Sequence, residues 1–500
     1  MVQLSAAAIN RVDVAVIGGG IAGVAIAEYV ARHTNLSVQL LEKNSHLGGD
    51  SSGKLEGWFH TGALYSGQDD GQTFFNCVNG VEDLLNHYSD YFAGRCNLTL
   101  GQYGHGHRPI VSGSGGGWFD SNPVYFIHPQ RHSPEMLQSG LKGDQVQLEM
   151  QLKRVLGRLE MAYGQQFNWR SPTGHGAMAP DYGHLESYEQ RGCSLLSQSK
   201  KISHYCQQFD LSHGVQPSDY ALLKSLDCAM DTQGILQDLT ASALAHGTAI
   251  ATGINLEQVN VDLYGPVRVQ SIFYRDRQGQ QHYLKAKAFI FAVGAGFERI
   301  LPTLQVRAKL KRSRSTMVVA YPAVSPHNFV RMSTKNSYHF NHFFQRANMP
   351  DSSQFFNYSM LANSGYVSDE NDYLDSGEIE LLLDTAARYF GEDNLYQRQL
   401  WSYDCVKTEF ISDDVQKRRY SYWIEVNAQS NYLCVLPGKF SFFPTVAVQT
   451  LKQLKNILPA SEVDRSHQDY HAYSHQAQAL VASPYPHQLL ATHLKNKANF

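Results

Sequence analysis

The sequence predicts an α/β protein in which a Rossmann-like, parallel-sheet domain is interleaved with a second, α+β domain. Three observations predict it. A β-branched run at residues 12–17 ends in a glycine turn carrying Gly18, Gly20 and Gly23; a helix-forming stretch follows directly; and a second apolar run, residues 36–42, ends in an acid. Buried strand, tight turn, helix and strand make one βαβ unit.

The chain has 500 residues, room for roughly two to four ordinary domains. A formal net charge of -3 gives no reason to expect nucleic acid or an acidic membrane surface as partner. The seven cysteines are scattered without a CxxC pair, which fits a reducing, cytoplasmic compartment better than a disulfide framework. Residues 14–30 are largely apolar, but glycines and Glu28 interrupt them and Asp13 precedes them, whereas a membrane span needs about 20 continuous apolar residues. Membrane association is therefore not indicated, and without a secretory signal the sequons at Asn97 and Asn357 carry no weight.

The expected division assigns residues 1–70, 225–305 and 431–460 to the parallel-sheet domain. Residues 71–224 and 306–430, rich in aromatics and histidines, go to the second domain, leaving 461–500 as a tail. A helix is expected over 145–164 and a loop at the glycine cluster 113–117. A helix beginning near Asp238 leads into a strand near Ile250, and a hairpin joins 267–274 to 281–285 around 276–279. A further strand, 288–293, meets Gly294, and a last apolar run meets Pro437 and Gly438 before a helix near Thr445.

Three glycines alone are a common pattern. Their context makes them specific: Glu42 closes the second strand about 20 residues beyond them, the place of a ribose-binding acid. Gly18 permits the turn, Gly20 admits a pyrophosphate to the backbone, and Gly23 lets helix and strand approach. The diphosphate charge then meets the amide-rich start of the helix. A carboxylate at Glu42 accepts from ribose hydroxyls and repels a 2′-phosphate, which disfavours NADP. The fingerprint by itself does not choose between FAD and NAD.

Residues 41–65 make that choice. Glu42 and Lys43 form an acid–lysine pair, Ser51, Ser52 and Gly53 a small polar loop, and His60, Thr61, Gly62 and Tyr65 a His-x-Gly-x-x-Tyr-like segment. This continuation resembles the D-amino-acid oxidase superfamily of flavoproteins, above all the branch of the L-2-hydroxyglutarate and glycerol-3-phosphate dehydrogenases. The resemblance implies FAD. It implies that Ser51, Ser52 and Gly53 line the pyrophosphate and ribityl path and that His60, Thr61 and Gly62 lie near the isoalloxazine. It further matches Ile250 to the adenine-side strand, Gly294 to a second glycine turn, and Gly438 to a final one. The chain departs from the branch at residues 54–57 and at Lys439, Phe440 and Ser441, so the substrate stays open.

The chemistry implied is transfer of a hydride from an amine- or hydroxyl-bearing carbon of a small amino or hydroxy acid, or of a biosynthetic intermediate, to flavin N5. Electrons then pass to oxygen, a quinone or another carrier. His60 is the candidate base or orienting group. Arg418 and Arg419 are candidates for a substrate carboxylate, though a solvated surface pair accounts for them equally well. Amides following Gly438 suit negative charge on the reduced ring. His105, His107, His339 and His342 lack accompanying carboxylates or cysteines, so no metal is expected. Two other readings share the fingerprint: a flavin monooxygenase or halogenase, and a flavin-binding subunit without turnover.

Overall fold

The computed structural model describes residues 8–65, 71–103, 106–111, 116–122, 124–129, 220–225, 227–262, 264–331, 338–346, 355–363, 367–368, 376–411, 421–427, 429–463 and 468–498. The expected helix at 145–164 and most of the 113–117 cluster fall outside them, as do His105, Arg418 and Arg419.

Strand β1 (Ala8–Ile17), helix α1 (Ile21–His33) and β2 (Val38–Glu42) form the opening βαβ unit, and α2 (Gln72–His87) follows. After β3 (Val124–Pro129) and β4 (Tyr220–Lys224) come α3 (Thr232–Ala245), β5 (Ala249–Thr252), β6 (Asn255–Asp262), β7 (Arg268–Arg275), β8 (Gln281–Phe291) and α4 (Phe297–Leu304). Next are β9 (Leu310–Tyr321), β10 (Asn328–Arg331), β11 (Tyr338–Arg346), β12 (Phe355–Asn363), β13 (Val367–Ser368), α5 (Ser376–Phe390) and β14 (Gln399–Phe410). The last elements are β15 (Trp423–Val426), β16 (Tyr432–Leu436), α6 (Phe443–Ile457), α7 (Ser474–Leu480) and α8 (Tyr485–Ala498).

The first sheet is ordered β6-β7-β8-β1-β2-β5, with β16 also on β8 and β15 on β16. Strands β5, β2, β1, β8 and β16 run parallel. Alternate residues serve alternate faces. Val14, Val16, Leu40 and Ile290 belong to the core that includes α1, α3 and α6, while Ala15, Ile17, Leu41 and Phe289 belong to the core that includes β6, β7 and α4. Where they are covered on both faces, at residues 14–17, 40–41, 288–291 and 432–436, the strands read as apolar runs, as parallel strands do.

Two elements differ from expectation. Residues 281–285 and 288–293 do not form separate strands; β8 is one strand of 11 residues, paired antiparallel with β7 in its first half and parallel with β16 at its end. No turn residue separates the halves; the strand only changes neighbours. Helix α3 starts at Thr232, ahead of the expected Asp238, because the Asp231 carboxylate caps it by accepting from the Gly234 amide at 2.9 Å.

The second sheet is ordered β13-β9-β12-β11-β10-β3-β4 with β14 on β9, antiparallel except where β10 meets β3. Val318, Ala320, Phe340 and Leu361 pack with α5 on one face. Met317, Val319, Phe343, Tyr358 and Tyr403 pack on the other with Leu490 of α8. Within the described part of the tail, α7 packs on α3, Val481 bridges to Leu47, and α8 lies on the second sheet. Against the expected boundaries at 70 and 430, α2 packs on α6 and β15 extends the first sheet. No described helix is long and apolar enough to cross a membrane.

Candidate active site

The C-terminal ends of β2, β1, β8 and β16 lie side by side and open into one cavity of about 840 Å³, within the range of cofactor pockets. In that order they supply Glu42 and Lys43, Gly18 and Gly20, Gly294, and Gly438 with Lys439. Ser51 and Ser52 close one side, Lys407 and Thr408 of β14 another, and residues 254–259 the end beyond β2. Ligands of open parallel sheets occupy this place, because the strand ends and the following turns leave their amides facing outward.

The glycines are set by contact. Gly18 has φ +109, and a Cβ there would stand 2.3 Å from the Ala292 carbonyl oxygen. A Cβ on Gly23 would fall 1.8 Å from the Gly18 oxygen, so helix and strand are closed on each other. Gly20 differs: its missing Cβ would be 3.4 Å from Ser52 Oγ and would project where a ligand passes. The Ile21 amide donates to Ser52 Oγ at 3.1 Å, while Ser51 Oγ donates to the Val406 carbonyl at 2.6 Å and ties the loop to β14.

Glu42 is buried and accepts from the amides of Gly19 (2.5 Å) and Asn44 (2.7 Å). Burial pushes its carboxyl above the usual range, and the Asn44 and Gly19 amides oppose that shift. Lys43 lies 3.6 Å from Asp50 with both side chains over half exposed, a pairing of little energetic weight. Ile250 sits beside Leu40 and does not line the cavity; the Ile254 amide, donating to the Glu42 carbonyl at 3.1 Å, brings the next strand there instead. Gly53 is packed on the Gly48 carbonyl and is not among the cavity-lining residues.

At the other end Gly438 has φ +66, and a Cβ would stand 2.3 Å from the Ser421 oxygen. This places the Lys439 amine against Tyr65, donating to its Oη at 2.5 Å and lying 4.4 Å from the ring centroid. Lys407, also cavity-lining, donates to Glu409 Oε1 at 2.8 Å. Burial, then the neighbouring Lys407 charge, brings the Lys439 amine down to about 7.

His60, Thr61 and Gly62 are not among the cavity-lining residues; the His60 ring packs on Tyr65 at 5.0 Å. His60 Nδ1 is 3.3 Å from Asp227 Oδ2, whose partner oxygen accepts from both the Thr61 amide and hydroxyl at 2.8 Å. The Leu64 amide donates to the same carboxylate at 3.3 Å. Burial and then Lys439 lower the His60 pKa, against the pull of Asp227. Asp227 was not legible in the sequence: it stands in no motif, 167 positions from its histidine. Lys407 and Lys439 were passed over for the same reason, although Lys439 was visible as a departure from the family's turn. Buried His339, whose ring is 5.8 Å from Trp58, is lowered to about 3 by burial and then His60. Among the described residues no group of three or more His, Cys, Asp or Glu side chains converges to hold a metal.

A family model described as FAD dependent oxidoreductase matches residues 13–421. No curated protein matches the sequence. Among solved structures, L-α-glycerophosphate oxidase from Mycoplasma pneumoniae superposes with a TM-score of 0.56 at 14% identity, covering 92% of this chain and 98% of that one. Glycine oxidase from Geobacillus kaustophilus gives 0.53 at 12%, covering 92% and 99%. Iminodiacetate oxidase from Chelativorans sp. BNC1 gives 0.53 at 11%, covering 90% and 96%. At these identities the likeness is one of fold. The family match spans the glycine turn, Glu42 and most of the cavity wall, and on it the chain belongs to the FAD-dependent oxidoreductases.

Proposed function

We propose that this FAD-dependent oxidoreductase removes a hydride from an amine- or hydroxyl-bearing carbon of a small molecule and passes the electrons on to oxygen, a quinone or another carrier. The observation that carries the reading is the single cavity running from the ribose acid at Glu42, past Gly20 and Gly294, to Gly438 and Lys439. Its lining follows the order of a dinucleotide: Glu42 for the adenosine ribose, the backbone at Gly20 and Ala22 for the diphosphate, Ser51 and Ser52 for the ribityl path, and the turn at Gly438 for the ring. The missing Cβ atoms at Gly20 and Gly294 fit such an occupant, since nothing in the protein fills either space closely. FAD, when bound, supplies the two-electron acceptor. The protein's part is to orient the reacting carbon, exclude water and take up the remaining proton. The solved oxidases of similar fold act on amino acids or on glycerophosphate, which supports this substrate class.

The test is the visible spectrum of the purified protein followed by an anaerobic panel of amino acids, hydroxy acids, amines and polyol phosphates. Oxidised-flavin absorption that one of them bleaches without NAD(P)H is the expected result. Colourless protein that takes up no added FAD overturns the reading.

A further inference from the structure

Resting on the proposed oxidation, a second question is which group takes the substrate's O–H or N–H proton. His60 faces Asp227, packs edge-on against the Tyr65 ring at 5.0 Å, and is not among the cavity-lining residues. Lys439 lines the cavity, and its amine is held at one place by the phenol oxygen of Tyr65. We propose that Lys439 is the catalytic residue that accepts the proton of the substrate's hydroxyl or ammonium group, and that Tyr65, braced by the Asp227 clamp on residues 60–64, positions its amine.

Every packed element contributes to the amine's surroundings. Tyr65 faces it from the segment after residue 60, and Lys407 and Glu409 from β14. Glu56 lies on the loop before Trp58, Cys77 on α2, His60 against the Tyr65 ring, and His339 on β11. Desolvation and the Lys407 cation favour a neutral amine; Glu409 and Glu56 oppose them. The result, about 7, leaves a sizeable fraction of lone pair available at neutral pH. In the step, the C–H bond breaks with its electron pair passing to the flavin as two-electron oxidant. The O–H or N–H proton forms a new N–H bond on Lys439, the product is a ketone or imine, and the lysine returns its proton to solvent.

Two measurements on the flavin-loaded protein test this. The first needs no substrate: acetic anhydride labelling of lysines across pH 5–11, read by mass spectrometry of the peptide containing Lys439. Labelling of Lys439 with a midpoint near 7, while surface lysines titrate above 10, supports the proposal; a midpoint above 9, or no labelling at any pH, overturns it. The second uses any compound that bleaches the flavin. The wild-type bleaching rate rises through one ionisation near pH 7; Lys439→Met loses roughly 10²–10⁴-fold together with that ionisation, and added ethylamine restores part of it. Tyr65→Phe keeps the ionisation displaced and loses less. An unchanged rate and profile in Lys439→Met overturns the proposal, as does a loss that no small amine restores. If no compound bleaches the flavin, the oxidation reading fails, and the labelling result still stands or falls on its own.

Discussion

Gly20 and Gly23 sit at the same turn and respond differently to the same substitution. A methyl group at position 23 has to occupy space 1.8 Å from the Gly18 carbonyl oxygen, so Gly23→Ala pries α1 from β1 and costs about 3 kcal/mol of stability in a urea melt. At position 20 the methyl group meets only Ser52 Oγ at 3.4 Å. Gly20→Ala therefore leaves the melt within about 0.5 kcal/mol, while flavin affinity, read by fluorescence quenching, falls roughly tenfold or more, about 1.4 kcal/mol. Glu42→Gln removes a charged acceptor at the ribose end; losing hydrogen bonds to a charged group costs about 1.5–3 kcal/mol, which the same titration reads as roughly a 10–100-fold weaker complex. The glycines and Glu42 were legible because each is a local answer to a local constraint. Asp227 was not, because its meaning comes only from what folds onto it.

At the scale of elements, legibility followed how much of each element's environment was local. Helix α1, Ile21–His33, follows the glycine turn directly as expected, since strand, turn and helix formers follow one another without a break. Strand β8 was read as two because its neighbour on one side changes from β7 to β16 while β1 pairs along the other, and neighbours are invisible in a sequence. The tail after Pro459 is polar and histidine-bearing, and α8 meets the second sheet through buried Leu490 with Tyr485, Leu489 and Leu494 partly buried beside it. Leu490→Ala should cost about 2–5 kcal/mol as a buried truncation; a urea midpoint unchanged from wild type would show that α8 does not hold that face. Asp227→Asn weakens the acceptor of three donors in the 60–64 segment and lowers stability by about 1–3 kcal/mol, checked by the same melt.

For the whole molecule, buried bases shape stability against pH, Lys439 in the alkaline range and His339, together with His487, which burial lowers to about 4, in the acid range. Lys439 titrates near 7 in the folded protein against an ordinary 10.5, so between those values the unfolded chain holds a proton that the folded chain lacks. Stability from this group therefore rises as pH climbs from 7 toward 10.5, and is flat below 7. His339, lowered to about 3 from 6.5, acts in the acid range: the unfolded chain gains a proton first, and stability falls as pH drops from 6.5 toward 3. Melting temperatures taken across both ranges should show the two slopes, with Lys439→Met flattening the alkaline one and His339→Phe part of the acid one. Identical pH curves for variants and wild type would remove both assignments.

The order of strand ends around the cavity has a consequence for biosynthesis. Its walls come from Glu42 and Gly18 near the start of the chain, Gly294 past the middle, and Gly438 and Lys439 close to the end. A ribosome has to translate past Lys439 before the pocket has its last wall, so a nascent chain carrying a perfectly formed fingerprint still holds no flavin. Capture of the cofactor waits on Gly438 and Lys439, and chains released before them should be colourless and protease-sensitive however well their first βαβ unit has folded.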